Sequence, residues 1–293
     1  KTALQSYLEG MENYILLPGV LNADKVIVQY VGSNSLKYTA TENKYDGAIY
    51  AKDDLTIHGS GSLSVDSGLH GIVCKKDLKI TGGTLEVKAD SIGIQSLKTV
   101  RVDGAGIEIE AGHDGIQISG SSEENYYYQA SGTVKVSSGY DGLDVGLESG
   151  EGTCNVILAG GSLDCTAGGG SDSSKDSSTS QKGIKCDGDV IVGLAELNVS
   201  SADDSIHAGG SVYVQDGVTW LSSSDDGIHA DELLAIAGGK VTVAKSYEGL
   251  EAYEIQISGG ETSVVASDDG INAAGGSDSS STETMPSRWG GES

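Results

Sequence analysis

Apolar and polar residues alternate in short runs along most of this chain, and the runs return in a fixed order. One copy reads Gly227-Ile-His-Ala, then Leu233-Leu-Ala-Ile-Ala, then the pair Gly238-Gly239, then Lys240-Val-Thr-Val. The same order appears as Asp77-Leu-Lys-Ile-Thr-Gly-Gly-Thr-Leu-Glu-Val and as Glu254-Ile-Gln-Ile-Ser-Gly-Gly-Glu-Thr-Ser-Val. Period-two alternation predicts short half-buried strands, and paired glycines supply the positive φ that a sharp corner between them needs.

A small residue before an Ile or Leu marks each copy. It falls at Ala48, Gly71, Gly93, Gly115, Gly142, Gly183, Ser205, Gly227, Gly249 and Gly270, with gaps of 23, 22, 22, 27, 41, 22, 22, 22 and 21. The two long gaps predict insertions near Ser121–Ala130 and over Gly168–Ser180. Some 22 residues with three short strands cannot bury an apolar face alone, but stacked copies bury one continuous core. The expected fold is all-β, a right-handed parallel β-helix of about ten coils. A propeller blade needs about twice this period and an RTX roll a shorter one, while a sandwich would not repeat its sequence at every second turn.

Composition fits a narrow solenoid core: 44 Gly, 2 Pro, no Phe, and only 5% aromatic residues. The repeat predicts a solenoid over residues 24–274. Residues 1–23 are expected as a cap or irregular segment; Leu4, Leu8, Met11 and Ile15 lie at helical spacing, and a strand pair is the alternative. Residues 275–293 are Gly/Ser-rich and expected as a tail, and the Gly168–Ser180 insertion of similar composition as an exposed, flexible loop. A chain opening on Lys1 without a leader is expected to be processed or trimmed. No apolar run approaches a membrane span. The net charge of −25 disfavours nucleic acid and anionic lipid and favours cations.

Stacking concentrates that charge. The residue before the marker runs Gly47, His70, Ile92, Asp114, Asp141, Lys182, Asp204, Asp226, Glu248, Asp269, and one position earlier stand Asp203, Asp225 and Asp268. Equivalent residues of neighbouring coils lie about 4.7–4.9 Å apart, where two carboxylates repel by about 3–4 kcal/mol at an effective dielectric of 20. Calcium is the expected counter-ion, taking carboxylates from two coils with turn carbonyls. Asp114, Asp141 and Asp144 form a second candidate group, separated from the first by Lys182. The alternative is that Asp before Gly only makes good turns.

A further row runs Tyr50, Val73, Gln95, Gln117, Asp144, Lys185, His207, His229, Glu251, Asn272. Alternating with inward Ile or Leu, it is expected to face solvent, where His207, His229, Glu251 and Asn272 suit sugar hydroxyls or uronates beside calcium, with Glu251 a candidate calcium ligand and the stacked His207 and His229 a lesser candidate metal pair; a merely solvated face is the alternative. Candidate stacking platforms are Tyr140, Tyr247, Trp220 and a Tyr126-Tyr127-Tyr128 loop. Cys74, Cys154, Cys165 and Cys186 are expected as small buried hydrophobes.

The coils Ser-Asp-Asp-Gly-Ile-His-Ala-Asp-Glu-Leu (224–233), Lys-Ser-Tyr-Glu-Gly-Leu-Glu-Ala (245–252) and Ser-Asp-Asp-Gly-Ile-Asn-Ala-Ala-Gly-Gly (267–276) resemble those of extracellular, calcium-binding β-helix proteins of anaerobic Gram-positive bacteria, the carbohydrate-binding domain-containing proteins. The resemblance covers roughly residues 24–276. It implies a pectate-lyase-like fold, binding of cellulose or acidic sugars such as polygalacturonate, and calcium between coils at Asp203, Asp204, Asp225, Asp226, Glu248, Asp268 and Asp269. It is weaker for the first three coils, where Gly47, His70 and Ile92 replace the acid. A lyase would need Lys or Arg poised beside the carboxylates, and Asp203–Ala273 offers only Lys240 and Lys245. Repeated sites also suit binding better than one catalytic centre. The expectation is a secreted, non-catalytic polysaccharide-binding protein, with a self-associating structural subunit as the alternative and a pectate-lyase-like enzyme as the lesser one.

Overall fold

The computed structural model describes the backbone of residues 3–9 and residues 24–39, 47–121, 124–148 and 152–273. These residues hold strands and no helix, and the strand pairings given by the register are parallel. The chain winds as a parallel β-helix, each coil contributing a strand to three rows.

The register predicted from the marker holds along the whole first row. Ile49 pairs with Ile72, Ile72 with Ile94, Ile94 with Ile116, Ile116 with Leu143 and Leu143 with Ile184. Ile184, Ile206, Ile228, Leu250 and Ile271 continue it. A middle row stacks Leu55, Leu78, Val100, Tyr127, Val156, Val190, Val212 and Leu234. A third stacks Leu63, Leu85, Ile107, Val134, Leu163 and Leu197. Their inward side chains form one continuous buried core, each large aliphatic contributing about 1.5–3 kcal/mol over its exposed state.

The marker must be small because of the third row. A Cβ on Gly93 would stand 2.4 Å from Ile109 Cγ2 and 2.6 Å from the Gly115 carbonyl, and Gly115, Gly183 and Gly249 face the same pair of obstacles. The paired-glycine corner works differently: Gly83, Gly239 and Gly260 have φ of 67°, 73° and 79°, open to glycine at little cost.

Ala3–Glu9 is a strand parallel to Lys25–Val31, with Ala3 beside Lys25, so the helical alternative is not taken there. Met11, Ile15 and the Gly/Ser-rich segment 275–293 lie outside the described residues. The first insertion falls at the start of the expected stretch, between Ile118, which pairs 22 residues back with Ser96, and Tyr126, which pairs 27 residues back with Thr99. Tyr126, Tyr127 and Tyr128 therefore belong to the strand Glu124–Gln129 and not to a loop. Tyr127 is fully buried, with its hydroxyl on Gln129 Oε1 at 2.9 Å, and cannot serve as a platform.

Candidate binding edge

The corner between the third and first rows carries the acids. Its two columns of backbone hydrogen bonds follow the stacking order. Marker amides of Gly93, Gly115, Gly142, Gly183, Ser205, Gly227 and Gly249 donate to the carbonyls of Asp114, Asp141, Lys182, Asp204, Asp226, Glu248 and Asp269 one coil on. One residue earlier, His113, Tyr140, Asp203, Tyr247 and Asp268 donate to Ser91, His113, Gln181, Asp225 and Tyr247. The corner carbonyls expected as cation ligands are thus already engaged in the sheet.

The carboxylates continue the pattern. Asp114 Oδ1 accepts the amide of Asp141 (3.2 Å), Asp141 Oδ1 that of Lys182 (2.7 Å), and Asp204 Oδ1 that of Asp226 (3.1 Å). One oxygen of each of these three aspartates therefore stitches its coil to the next, which gives the turn-forming explanation a concrete geometry. The second oxygen meets a cation or donor: Gln117 Nε2 on Asp114 at 2.8 Å, Lys185 within 3.7 Å of Asp141, Lys182 and His207 on Asp204.

Three lysines penetrate the acidic edge. Lys182 is buried and its ammonium lies 3.3 Å from Asp203 Oδ1 and on Asp204 Oδ2. Lys175, from the second insertion, reaches Asp203 Oδ1 at 2.9 Å and also Asp225. Lys185 pairs with Asp144 at 3.1 Å. Burial works against each ammonium, but the facing carboxylates outweigh it and raise all three above the ordinary lysine range. Asp204 shows the reciprocal effect: burial would raise it, yet His207 and Lys182 hold it well below the usual carboxylate range.

The insertion itself is solvent-exposed over much of its length but not free. Ser224 Oγ donates to the carbonyls of Ser171 and Ser173, Lys245 reaches Asp172 at 3.0 Å, and Ser222 donates to Ser171 Oγ at 2.7 Å. This strap was expected to be a flexible loop; its serines and Lys175 pin it across the corner. Lys175 is the site residue that sequence reasoning missed, since nothing in a Gly/Ser tract fixes where it lands.

Two carboxyls near this corner are raised furthest, Asp114 on the ladder and Glu251 on the row beside it. Burial, with Asp141 and Asp144 alongside, pushes Asp114 up to about 7. Burial and a hydrogen bond to Asp226 push Glu251 up to about 7. His229 lies between them and is 1% exposed, against the expectation of a solvent-facing row; Val73 is also buried. The ring of His207 stacks on it at 4.6 Å, and Glu251 and Asp226 close its Nδ1 side at 3.1 and 3.2 Å. Burial disfavours its charge, but Asp226, Asp204 and Glu251 prevail and lift it to about 9. Its Nε2 is 3.3 Å from Asp231 Oδ1 without hydrogen-bond geometry. Asp226, His229 and Glu251 present ligand atoms within 4.8 Å of one another, as do Asp204, His207 and His229, and Asp203, Asp204 and Asp225. Asn272 caps Glu248 at 2.8 Å, and Asp268 and Asp269 stand exposed on the last described coil.

Tyr140 and Tyr247 occupy the same corner position as Asp203, Asp225 and Asp268, and both are partly exposed. Tyr140 stacks on His113 at 4.7 Å with an interplanar angle of 3°, and Tyr247 is hydrogen-bonded to Asp268. Trp220 lies on the third row beside Asn198 and Thr242, away from this edge. All four cysteines are buried thiols; Cys186 is raised by its hydrogen bond with Cys154 and by burial. Lys240 pairs with Glu261 and Lys245 with the strap.

Sequence comparison gives the family of this parallel solenoid. The chain belongs to the carbohydrate-binding domain-containing proteins, whose family model matches residues 19–227 and 221–270. It is similar to a carbohydrate-binding domain-containing protein of Acetivibrio thermocellus, 47% identical over 45 residues. That match spans 15% of this chain and 16% of the relative. No solved structure matches the chain.

Proposed function

We propose that this protein is a non-catalytic, extracellular polysaccharide-binding solenoid whose acidic corner engages an acidic glycan or cellulose, with calcium as its cofactor. The observation that carries the reading is the corner row in which Tyr140 and Tyr247 flank Asp203 and Asp225 in register. Four coil steps separate the tyrosines, roughly 19 Å at strand spacing, which suits a glycan several sugars long lying along the axis. Aromatic faces stack on pyranose rings, and the half-buried Asp225 with its strap partner Lys175 offers polar groups to sugar hydroxyls, whereas Asp203 is buried and held by Lys175 and Lys182.

The chemistry of the donor set divides the ladder. At Asp203, Asp204 and Asp225 the ammonium groups of Lys175 and Lys182 fill the cation role, so a calcium ion fits poorly there. Asp226, Glu248 and Glu251 have no lysine; their neighbouring cation is His229, 3.2 Å from Asp226 and 3.1 Å from Glu251, and Glu251 still retains its proton near neutrality, so a hard divalent cation fits here better, in competition with the imidazolium. Asp268, Asp269 and the Asp114–Asp141–Asp144 group are secondary candidates, the latter weakened by Lys185.

Lysine beside carboxylate revives the lyase comparison that Lys240 and Lys245 alone did not support. Proton abstraction needs a neutral amine. Lys182 is buried and both Lys182 and Lys175 are held charged by their carboxylates, which suits counter-ions and not bases. End-to-end self-association has one observation in its favour: Ile257, Val265 and Ile271 on the last described coils are 46%, 59% and 57% exposed.

The test is capture on insoluble cellulose and polygalacturonate, with calcium and with chelator. Retention on either, weakened by Tyr140→Ala with Tyr247→Ala, supports the reading. No retention on both matrices in either condition refutes it.

A further inference from the structure

The cations left over from the acidic edge gather on a different face. The middle row of strands carries an open groove of about 370 Å³ lined by Lys25, Lys79, Lys98, Arg101 and Tyr126, with Asp54, Asp77 and Glu124 on its walls. In a chain of net charge −25, four cations against three acids around one concavity is a small local excess of positive charge, and Asp54 stands beside its register partner Lys25. Asp77 is consumed by Lys98 at 3.3 Å and Thr99 Oγ1 at 2.7 Å, and Glu124 has a partner of its own.

Lys79 and Arg101 are the informative pair. They are direct register partners on adjacent strands and both are exposed. Among the described residues neither makes an ion pair. Like charges placed opposite one another destabilise a sheet, so folding alone gives no reason for the arrangement; a bound anion would. The guanidinium of Arg101 is already oriented, lying 5.0 Å over the Tyr126 ring, and its planar fork matches a carboxylate in bidentate fashion.

The same outward row then turns apolar. Past Arg101 it continues through Tyr128, Ile157, Ile191 and Tyr213, all half-buried on the outer surface and not in the core. A row with two adjacent cations leading into an aromatic and aliphatic strip offers charge to a carboxylate and a flat apolar surface to sugar ring faces.

We propose that this groove is a second, calcium-independent glycan subsite, taking the carboxylate of an acidic sugar on Lys79 and Arg101 and the adjoining sugar rings on Tyr128 and its neighbours. The ligand class rests on the polysaccharide reading above; the site requires neither calcium nor the acidic corner.

Titration of the whole chain with trigalacturonate in chelator, with cellotriose in parallel, tests it. Wild type should bind trigalacturonate without calcium. The Lys79→Gln, Arg101→Gln double variant should lose at least tenfold in that affinity with no fall in the unfolding midpoint, because both side chains are exposed and two opposed like charges are removed. Lys79→Arg should retain binding, and Tyr128→Ala should weaken it. Chelator-resistant affinity unmoved by the double variant overturns the proposal while leaving the polysaccharide reading intact. Binding seen only with calcium, or only with cellotriose, does the same. No binding of either sugar with or without calcium removes both.

Discussion

Lys182→Met is the perturbation that best separates a ladder built on internal counter-ions from one that tolerates bare carboxylates. The substitution keeps the stem of a buried side chain and deletes its charge. The Lys182 ammonium sits 3.3 Å from Asp203, and the side chains of Lys182, Asp203 and Asp204 are 11%, 4% and 2% exposed, so water screens the pairs little. At that separation the gross attraction to Asp203 alone is about 5 kcal/mol at an effective dielectric of 20. Desolvation of the three groups cancels much of it, and removing one partner of a buried ion pair costs about 3–5 kcal/mol net. The stranded carboxylates can instead take up protons, so the deficit should be smaller at pH 5 than at pH 8. Urea unfolding in chelator measures the total. Amide exchange places it, because each coil contacts only its neighbours and the loss should centre on coils 183–227. Millimolar calcium should recover part of the deficit by entering the space the ammonium leaves. A cost below about 1 kcal/mol, or one that does not change between pH 5 and 8, would refute the counter-ion argument.

Other predictions follow from the same geometry. Glu251 holds its proton up to about 7, so calcium at Asp226, Glu248 and Glu251 must displace it. Calcium affinity by calorimetry should therefore rise from pH 6 to pH 8, and Glu251→Gln should remove the rise. His229 is lifted to about 9 in the fold, above its unfolded value of 6.5, so its contribution to stability is full below about 6.5 and lost as pH climbs through 9. Thermal unfolding in chelator should show that loss, and His229→Gln should abolish it. Gly227→Val should destabilise by about 1–3 kcal/mol or more, since even its Cβ meets the Gly249 carbonyl at 2.5 Å and Val243 Cγ1 at 2.6 Å. An unchanged urea midpoint would contradict that packing.

The fold was legible because one local constraint recurs. Only a small residue fits where the third row's Val or Ile approaches the marker, and that residue precedes an inward Ile or Leu, so spacing alone yields the register from Ile49 to Ile271. Stacking then put Asp204, Asp226, Glu248 and Asp269 in one column, as the backbone bonds have it. What spacing cannot give is where inserted residues land. Lys175 lies 28 residues before Asp203 and 50 before Asp225 along the chain, and only the fold of the strap brings them together. Tyr127 was misplaced for a related reason: the insertion displaced its strand from the period, so an inward core residue looked like loop. His229 was misread because alternation tells inside from outside but says nothing of a neighbouring ring or carboxylate lying over the outer face.

The most direct test of a glycan-binding corner is titration of trigalacturonate and cellotriose into the chelator-stripped protein, before and after calcium, with the double variant Tyr140→Ala, Tyr247→Ala alongside. The account predicts that calcium binds with measurable heat, that it strengthens trigalacturonate binding, and that the tyrosine variant loses this calcium-dependent part. No calcium heat, together with sugar binding indifferent to calcium and to both tyrosines, would contradict it and leave the acids as stitching between coils.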